Sequence, residues 1–232
     1  MLSVVIITAY PKMFPGVLSH SIIGKALSDG KWKLNIINLH DYGYNARKSI
    51  DDKPFGGGPG MVIRPDVIEK ALTLNKNLFN EKYTFIYLSP SGNPLKQHNL
   101  ELFSKKQGLV ILCGRFEGVD ARVIEKYQFN SISMGDYILN GGEVAAQALV
   151  EGCIRLIPGV LGHSDSILEE SFSNNLLEHP HYTRPKNWLD NDGKVHSVPE
   201  VLISGHHEDI KQWRKKKSEE ITKKIRSDLI KK

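Results

Sequence analysis

The stretch "GLVILCGRFEGVDARVIEKYQFNSISMGDYILNGGEVAAQALVEGCIRLI", residues 108–157, switches repeatedly between two kinds of patterning. "GLVILC" (108–113) is a continuous apolar run of strand length, and the "GRFEGVD" (114–120) that follows is polar and carries glycine. In "EGVDARVIEKY" (117–127) apolar residues recur near three- and four-residue spacing, which marks a helix packed on one side. "NSISM" (130–134) is a weaker strand, "GDYILNGG" (135–142) a second glycine-rich turn, and "EVAAQALVEGCIRLI" (143–157) a helix that is apolar nearly all round. Strand, loop, helix, strand, loop, helix is the order of parallel strands joined by crossover helices.

The same alternation extends toward the N-terminus. "SVVIITAY" (3–10), "LNIINL" (34–39) and "TFIYLS" (84–89) read as strands, with "GVLSHSIIGKALSDG", "RPDVIEKALTL" and "LKQHNLELFSKK" as helical patterns between them. Asp66 and Asn93 are helix-start residues, with Pro65 and Pro94 at first-turn positions. The fold class is therefore α/β, a mostly parallel sheet with helices on both faces. Such sheets bind ligands outside the carboxyl ends of their strands. "SPSGNP" (89–94), "GRFEGVD" and "GDYILNGG" all occupy that position and together predict a ligand rim.

Within the rim, Gly141 and Gly142 allow a sharp turn and bring bare backbone to a ligand. Arg155 stands out in the apolar helix that follows. Such a cation is either paired, with Glu117 or Glu143 for example, or directed into a polar cleft. "FGGGPGMV" (55–62) is either a loop beside a ligand or a turn where backbone passes close to backbone. Neither glycine cluster has G-x-G-x-x-G spacing and no G-x-x-x-x-G-K-[ST] occurs, which leaves a dinucleotide or nucleoside-triphosphate site unsupported.

The 232 residues suffice for one large domain or for one domain and a smaller appendage. No apolar run reaches the roughly 18 residues of a membrane helix, and "MLSVVIITAY" reads as a first strand, not a leader, so a cytoplasmic protein is expected. Cys113 and Cys153, in apolar runs without zinc-site spacing, read as buried reduced thiols. Periodicity stops after "IPG" (157–159). This predicts a domain over 1–159, a linker over 160–178 containing "LEESFSNN" (168–175), and a C-terminal domain over 179–232. Residues 205–232 hold ten Lys/Arg against five acids, while the remaining 204 residues balance at 21 against 21. A neutral body with a basic helical end suits a polyanionic partner. "HPHYTRP" (179–185) lacks convincing metal geometry, and "SGHHEDI" (204–210) is a helix start whose free N–H groups suit a phosphate.

Taken in order, "YLSPSG", "CGRFEGVDARV", "SMGDYILNGGE", "RLIPGVLG", "EESFSNNLLEHPHYTRP" and "SGHHEDIKQWR" resemble the bacterial tRNA (guanine-N1)-methyltransferases of the TrmD type, over essentially the whole chain. The resemblance implies transfer of a methyl group from S-adenosyl-L-methionine to N1 of guanine 37, next to the tRNA anticodon. It also implies a SPOUT-class domain with a deep trefoil knot, acting as a homodimer. Matching motifs would place the donor against Tyr87, Leu88, Ser89, Pro90, Gly114, Glu117, Met134, Gly135, Asp136, Tyr137, Ile138, Leu139, Gly141 and Gly142. The family's catalytic arginine falls on Arg155. Its general base, an aspartate, falls on Glu170, a departure that adds one methylene, about 1.5 Å of reach. Some members depend on Mg2+, and no pattern in this sequence locates a site for it. The basic C-terminal domain would hold the anticodon stem-loop. A SPOUT ribose 2′-O-methyltransferase and a non-catalytic RNA-binding protein of the same fold are the alternatives.

Overall fold

The computed structural model describes residues 1–161 and 170–230, and the chain divides into two compact units, Met1–Gly162 and His163–Lys232. The first unit is built on a five-stranded sheet of β1 (Leu2–Thr8), β2 (Trp32–Asn38), β5 (Tyr83–Pro94), β6 (Gly108–Cys113) and β7 (Asn130–Ser133). Spatial order is β2-β1-β6-β5-β7, and every pairing is parallel. Helices α1 (Ser21–Ser28), α2 (Pro65–Leu74), α3 (Gln97–Ser104), α4 (Ala121–Lys126) and α5 (Gly142–Ile154) make the crossovers and cover the sheet.

The continuous apolar runs follow from this burial. On β6, Leu109, Ile111 and Cys113 enter one core with Ile23 and Ala26 of α1, Phe103 of α3 and Leu149, Val150 and Cys153 of α5. Val110 and Leu112 point the other way, into a core with Val67, Ile68, Ala71 and Leu72 of α2 and Val123 of α4. Side chains alternate along a strand, so a strand covered on both faces needs apolar residues at every position. Both cysteines are buried free thiols, and burial pushes Cys153 up to about 12.

Three local expectations change. Asn93 and Pro94 do not start a helix: pairing with β7 is interrupted between Leu88 and Asn93, then resumes with Asn93 and Pro94 opposite Ile132 and Ser133. The loop 89–92 is thus a bulge within β5, and α3 begins only at Gln97. Helix α5 is not covered all round, since Val144, Ala148 and Glu151 are exposed on one side. Arg155 does not lie deep in that helix but caps its C-terminal end, with its N–H bonded to the Glu151 carbonyl at 3.1 Å. A cation there opposes the negative end of the helix dipole.

The "GGGPG" loop spans the short antiparallel pair β3 (Asp51–Asp52) and β4 (Val62–Ile63). Gly56, Gly57 and Gly58 have φ between 80 and 117° with open space around each, so left-handed backbone explains them and close packing does not. The loop runs alongside 114–120, where Glu117 N–H bonds Met61 and Ile63 N–H bonds Gly118, both at 2.9 Å.

The second unit carries a hairpin, β8 (Asn187–Leu189) with β9 (Val195–Ser197), and one continuous helix, α6 (His207–Ile225). Glu208 and Asp209 occupy the first turn of α6, where acids are favoured. Thr222, buried on α6, donates to the Ser218 carbonyl at 2.6 Å and accepts from Leu177 N–H at 2.8 Å. Among the described residues no helix is long and apolar enough to cross a membrane.

Candidate active site

At the bulge of β5 and the carboxyl ends of β6 and β7 lies a cavity of about 250 Å³. Its walls are the segments 87–90, 114–118, 132–135 and 137–142, closed by Ala145 of α5. Thirteen of the fourteen expected donor-site residues line it; Asp136 does not, and is exposed. The lining mixes Leu88, Ile132, Met134 and Leu139 with bare backbone and a few polar side chains, which suits a compact ligand with one flat apolar part and several polar groups. Tyr87 faces Gly114, whose added Cβ would approach the phenol ring to 3.0 Å, and burial raises the Tyr87 pKa.

Backbone contacts fix these walls to each other. Gly142 N–H donates to the Gly114 carbonyl at 2.9 Å, and Arg115 bridges Gly141. Gly135 has φ 148°, and a Cβ there would come within 2.7 Å of the Tyr137 ring. Ser133 Oγ accepts from Gly135 N–H at 3.2 Å and holds the turn at the exit of β7. The bottom of the site is anchored by Glu143, fully buried in the first turn of α5, with Thr8 Oγ1 donating to it at 2.8 Å.

Arg155 is half-buried in the first unit and Glu170 half-buried in the second. Glu170 leads directly into a strained stretch: Phe172, Asn174 and Asn175 all take left-handed backbone, with φ of 75, 54 and 59°. Asparagine tolerates that region, whereas phenylalanine there is uncommon. The stretch is pinned by Phe172 N–H to the Leu176 carbonyl at 2.7 Å and by Glu178 N–H to Ser171 Oγ at 3.0 Å. Strain held by its surroundings clusters at functional sites. Glu169 and Asp165, the neighbouring acids, lie outside the described residues.

A cavity at three strand ends is common to many α/β proteins; similarity along the whole chain is what separates them. The model of the family described as tRNA (Guanine-1)-methyltransferase TrmD matches residues 2–232. The chain belongs to the TrmD family. A tRNA (guanine-N(1)-)-methyltransferase of Ruegeria pomeroyi is 48% identical over 224 residues, covering 97% of this chain and 90% of its own. Proteins of that name from Ehrlichia canis and Rhodospirillum rubrum are 46% and 45% identical, covering 98% of this chain and 95% and 92% of theirs.

For this TrmD-family chain, the wall holds further residues: four lie within the rim loops but are not among the expected donor-site residues, and Ile132, Ser133 and Ala145 lie outside those loops. Arg115, Phe116, Gly118, Ile132, Ser133, Asn140 and Ala145 also line the cavity. Ile132 and Ser133 belong to a strand whose pattern is weak, and Ala145 to a helix that otherwise reads as core. Arg115 sits inside a quoted motif, and an arginine two residues past an all-apolar strand is a signal that could have marked it. The cationic neighbour of Glu143 is Arg115, at 2.9 Å, not the Arg155 that the sequence suggests as one partner. Among the described residues no three His, Cys, Asp or Glu side chains converge as a metal site.

Proposed function

We infer that this chain transfers the methyl group of S-adenosyl-L-methionine to N1 of guanine 37 in tRNA. The observation that carries this is a TrmD-family match over nearly every residue of a chain whose glycine-walled cavity suits a bent adenosyl ligand. The donor supplies a methyl group already activated on a sulfonium. N1 of guanine bears a proton and is a weak nucleophile while it does. A carboxylate within hydrogen-bond reach removes that proton, the role we give Glu170. As the proton leaves, negative charge spreads onto O6, where the planar guanidinium of Arg155 stabilises it.

The knot and the homodimer belong to the same proposal. Segment 135–142 crossing back over the exit of β6 supports a knotted donor site, and Tyr137, Ile138 and Val144, exposed beside the cavity, support a second subunit there. Ile138 is 80% exposed, and with Tyr137 and Leu139 it makes three consecutive exposed apolar residues, the kind of patch that marks an interaction surface. No Mg2+ site is assigned. The test is methyl transfer to an unmodified tRNA transcript with guanines at 36 and 37, against the same transcript with adenine at 37. Product must be 1-methylguanine after digestion; a ribose-methylated nucleoside, or no product with donor bound, would replace this function with one of its alternatives.

We also assign tRNA phosphates to α6. Ser218 and Thr222 mark its buried side, while Lys216, Lys223 and Lys224 are exposed on the opposite side. Changing these three to Gln should weaken tRNA binding and flatten the plot of log affinity against log salt by about 2 in slope. Donor affinity should not change. An unaltered slope in a filter-binding titration would place the phosphates elsewhere.

A further inference from the structure

Two arginines of the first unit show the geometry of an ordinary structural ion pair. Arg64 donates from Nε and Nη2 to the two oxygens of Asp66 at 3.0 and 2.9 Å. Arg122 does the same to Asp120 at 2.9 and 2.8 Å. Both pairs are forked, with two donors reaching two oxygens.

Arg115 and Glu143 are built otherwise. Nε lies 2.9 Å from Oε2, with side chains only 12% and 1% exposed. Yet the N–H is not aimed at the oxygen, and both atoms are buried without a hydrogen bond. The close approach is an ion pair that gives up the fork. Nη1 instead donates to the Asn140 carbonyl at 3.2 Å, Nη2 reaches Met13 Sδ at 3.4 Å, and the guanidinium lies 4.3 Å over the Tyr10 ring. The backbone of 140–141 rests directly on the guanidinium, since a Cβ on Gly141 would overlap Arg115 Nε. Glu143 in turn is tied through Thr8 to the end of β1.

A buried ion pair recovers its desolvation cost only with good geometry and satisfied hydrogen bonds. Here good geometry is surrendered, and what is gained is a grip on a loop carbonyl at the cavity wall. We propose that Arg115, seated by Glu143, is the positioning residue of the donor loop 135–141. It holds the loop backbone in its binding shape before a ligand arrives, so donor affinity depends on it and the methyl-transfer step does not. This rests on reading the 250 Å³ cavity as the donor site.

The test measures calorimetric affinity for S-adenosylhomocysteine, the demethylated donor, together with KM for the donor, kcat and Tm. It compares wild type, Arg115→Met and the double variant Arg115→Met with Glu143→Leu. Arg115→Met should weaken binding by about 10- to 100-fold, the worth of one charge-assisted hydrogen bond, and raise KM in parallel with kcat at saturating donor unchanged. It should also lower Tm, because Glu143 is left buried and unpaired. The double variant, apolar and of similar volume, should regain Tm but not affinity. The proposal is overturned if Arg115→Met binds like wild type, if the loss appears in kcat with affinity intact, or if the double variant recovers affinity along with stability. Wild type failing to bind would instead remove the donor-site assignment, and this role with it.

Discussion

Replacing Arg155 with alanine is expected to lower turnover at saturating tRNA and donor by about 10²- to 10³-fold, the usual cost of deleting one fixed donor to a developing oxyanion. S-adenosylhomocysteine affinity should be unchanged, because Arg155 is absent from the cavity lining. Arg155 follows Ile154 at the end of α5, and Leu149, Val150, Cys153 and Ile154 hold that end of the helix in the core. The Arg155 backbone is thereby held in place, which limits where the guanidinium we propose as the oxyanion donor can reach. Glu170→Ala should cost about 10²- to 10⁴-fold if Glu170 is the general base we propose. Glu170→Asp, which shortens the side chain to the aspartate that the resemblance implies at this position, should remain active. Single-turnover rates separate these effects from tRNA release. A Glu170→Ala enzyme turning over like wild type would take the base role from Glu170 and give it to a neighbouring acid.

The strand ends were legible because burial on both faces forces β1, β5 and β6 into apolar runs whose polar exits stand out. Parallel pairing followed from the helices between them. The bulge at 89–92 was not legible: "SPSGNP" has the composition of a turn, and only the register against Ile132 and Ser133 shows the chain rejoining the sheet. The glycines were seen, but for the wrong physical reason at one place. Gly141 has φ 175°, ordinary extended backbone, so no sharp turn demands it; the guanidinium of Arg115 does. Such contacts join residues far apart in the chain, like Thr8 and Glu143, and leave no local signature. Arg155 was legible as a cation in an apolar helix, but its proposed role, like that of Glu170, came from resemblance alone, since one of two adjacent glutamates is unremarkable in itself.

Gly142→Ala should abolish measurable donor binding, and two other glycines show why the effect is specific. At Gly57, φ is 80° and nothing lies within 4 Å of an added Cβ. Alanine there costs about 1–2 kcal/mol of backbone strain, with donor affinity intact. At Gly152 the Cβ would meet Leu100 Cδ1 at 2.7 Å, the end of a side chain that can turn away. Gly142 has neither a special φ nor a yielding neighbour. Its Cβ would stand 2.9 Å from Cys113 Cα and 3.1 Å from Gly114 N, both backbone at the exit of β6. Relief requires moving α5 off the strand, and Gly142 N–H is what fixes the Gly114 carbonyl at 2.9 Å. Two walls of the cavity then separate together, so affinity should fall beyond calorimetric detection, and Tm should fall as well, because α5 carries Ala145, Ala146 and Leu149 into the core against β6. Gly142→Ala protein that bound S-adenosylhomocysteine at wild-type affinity would mean that the ligand is not held between 114 and 142, and the donor site would have to be sought elsewhere in the fold.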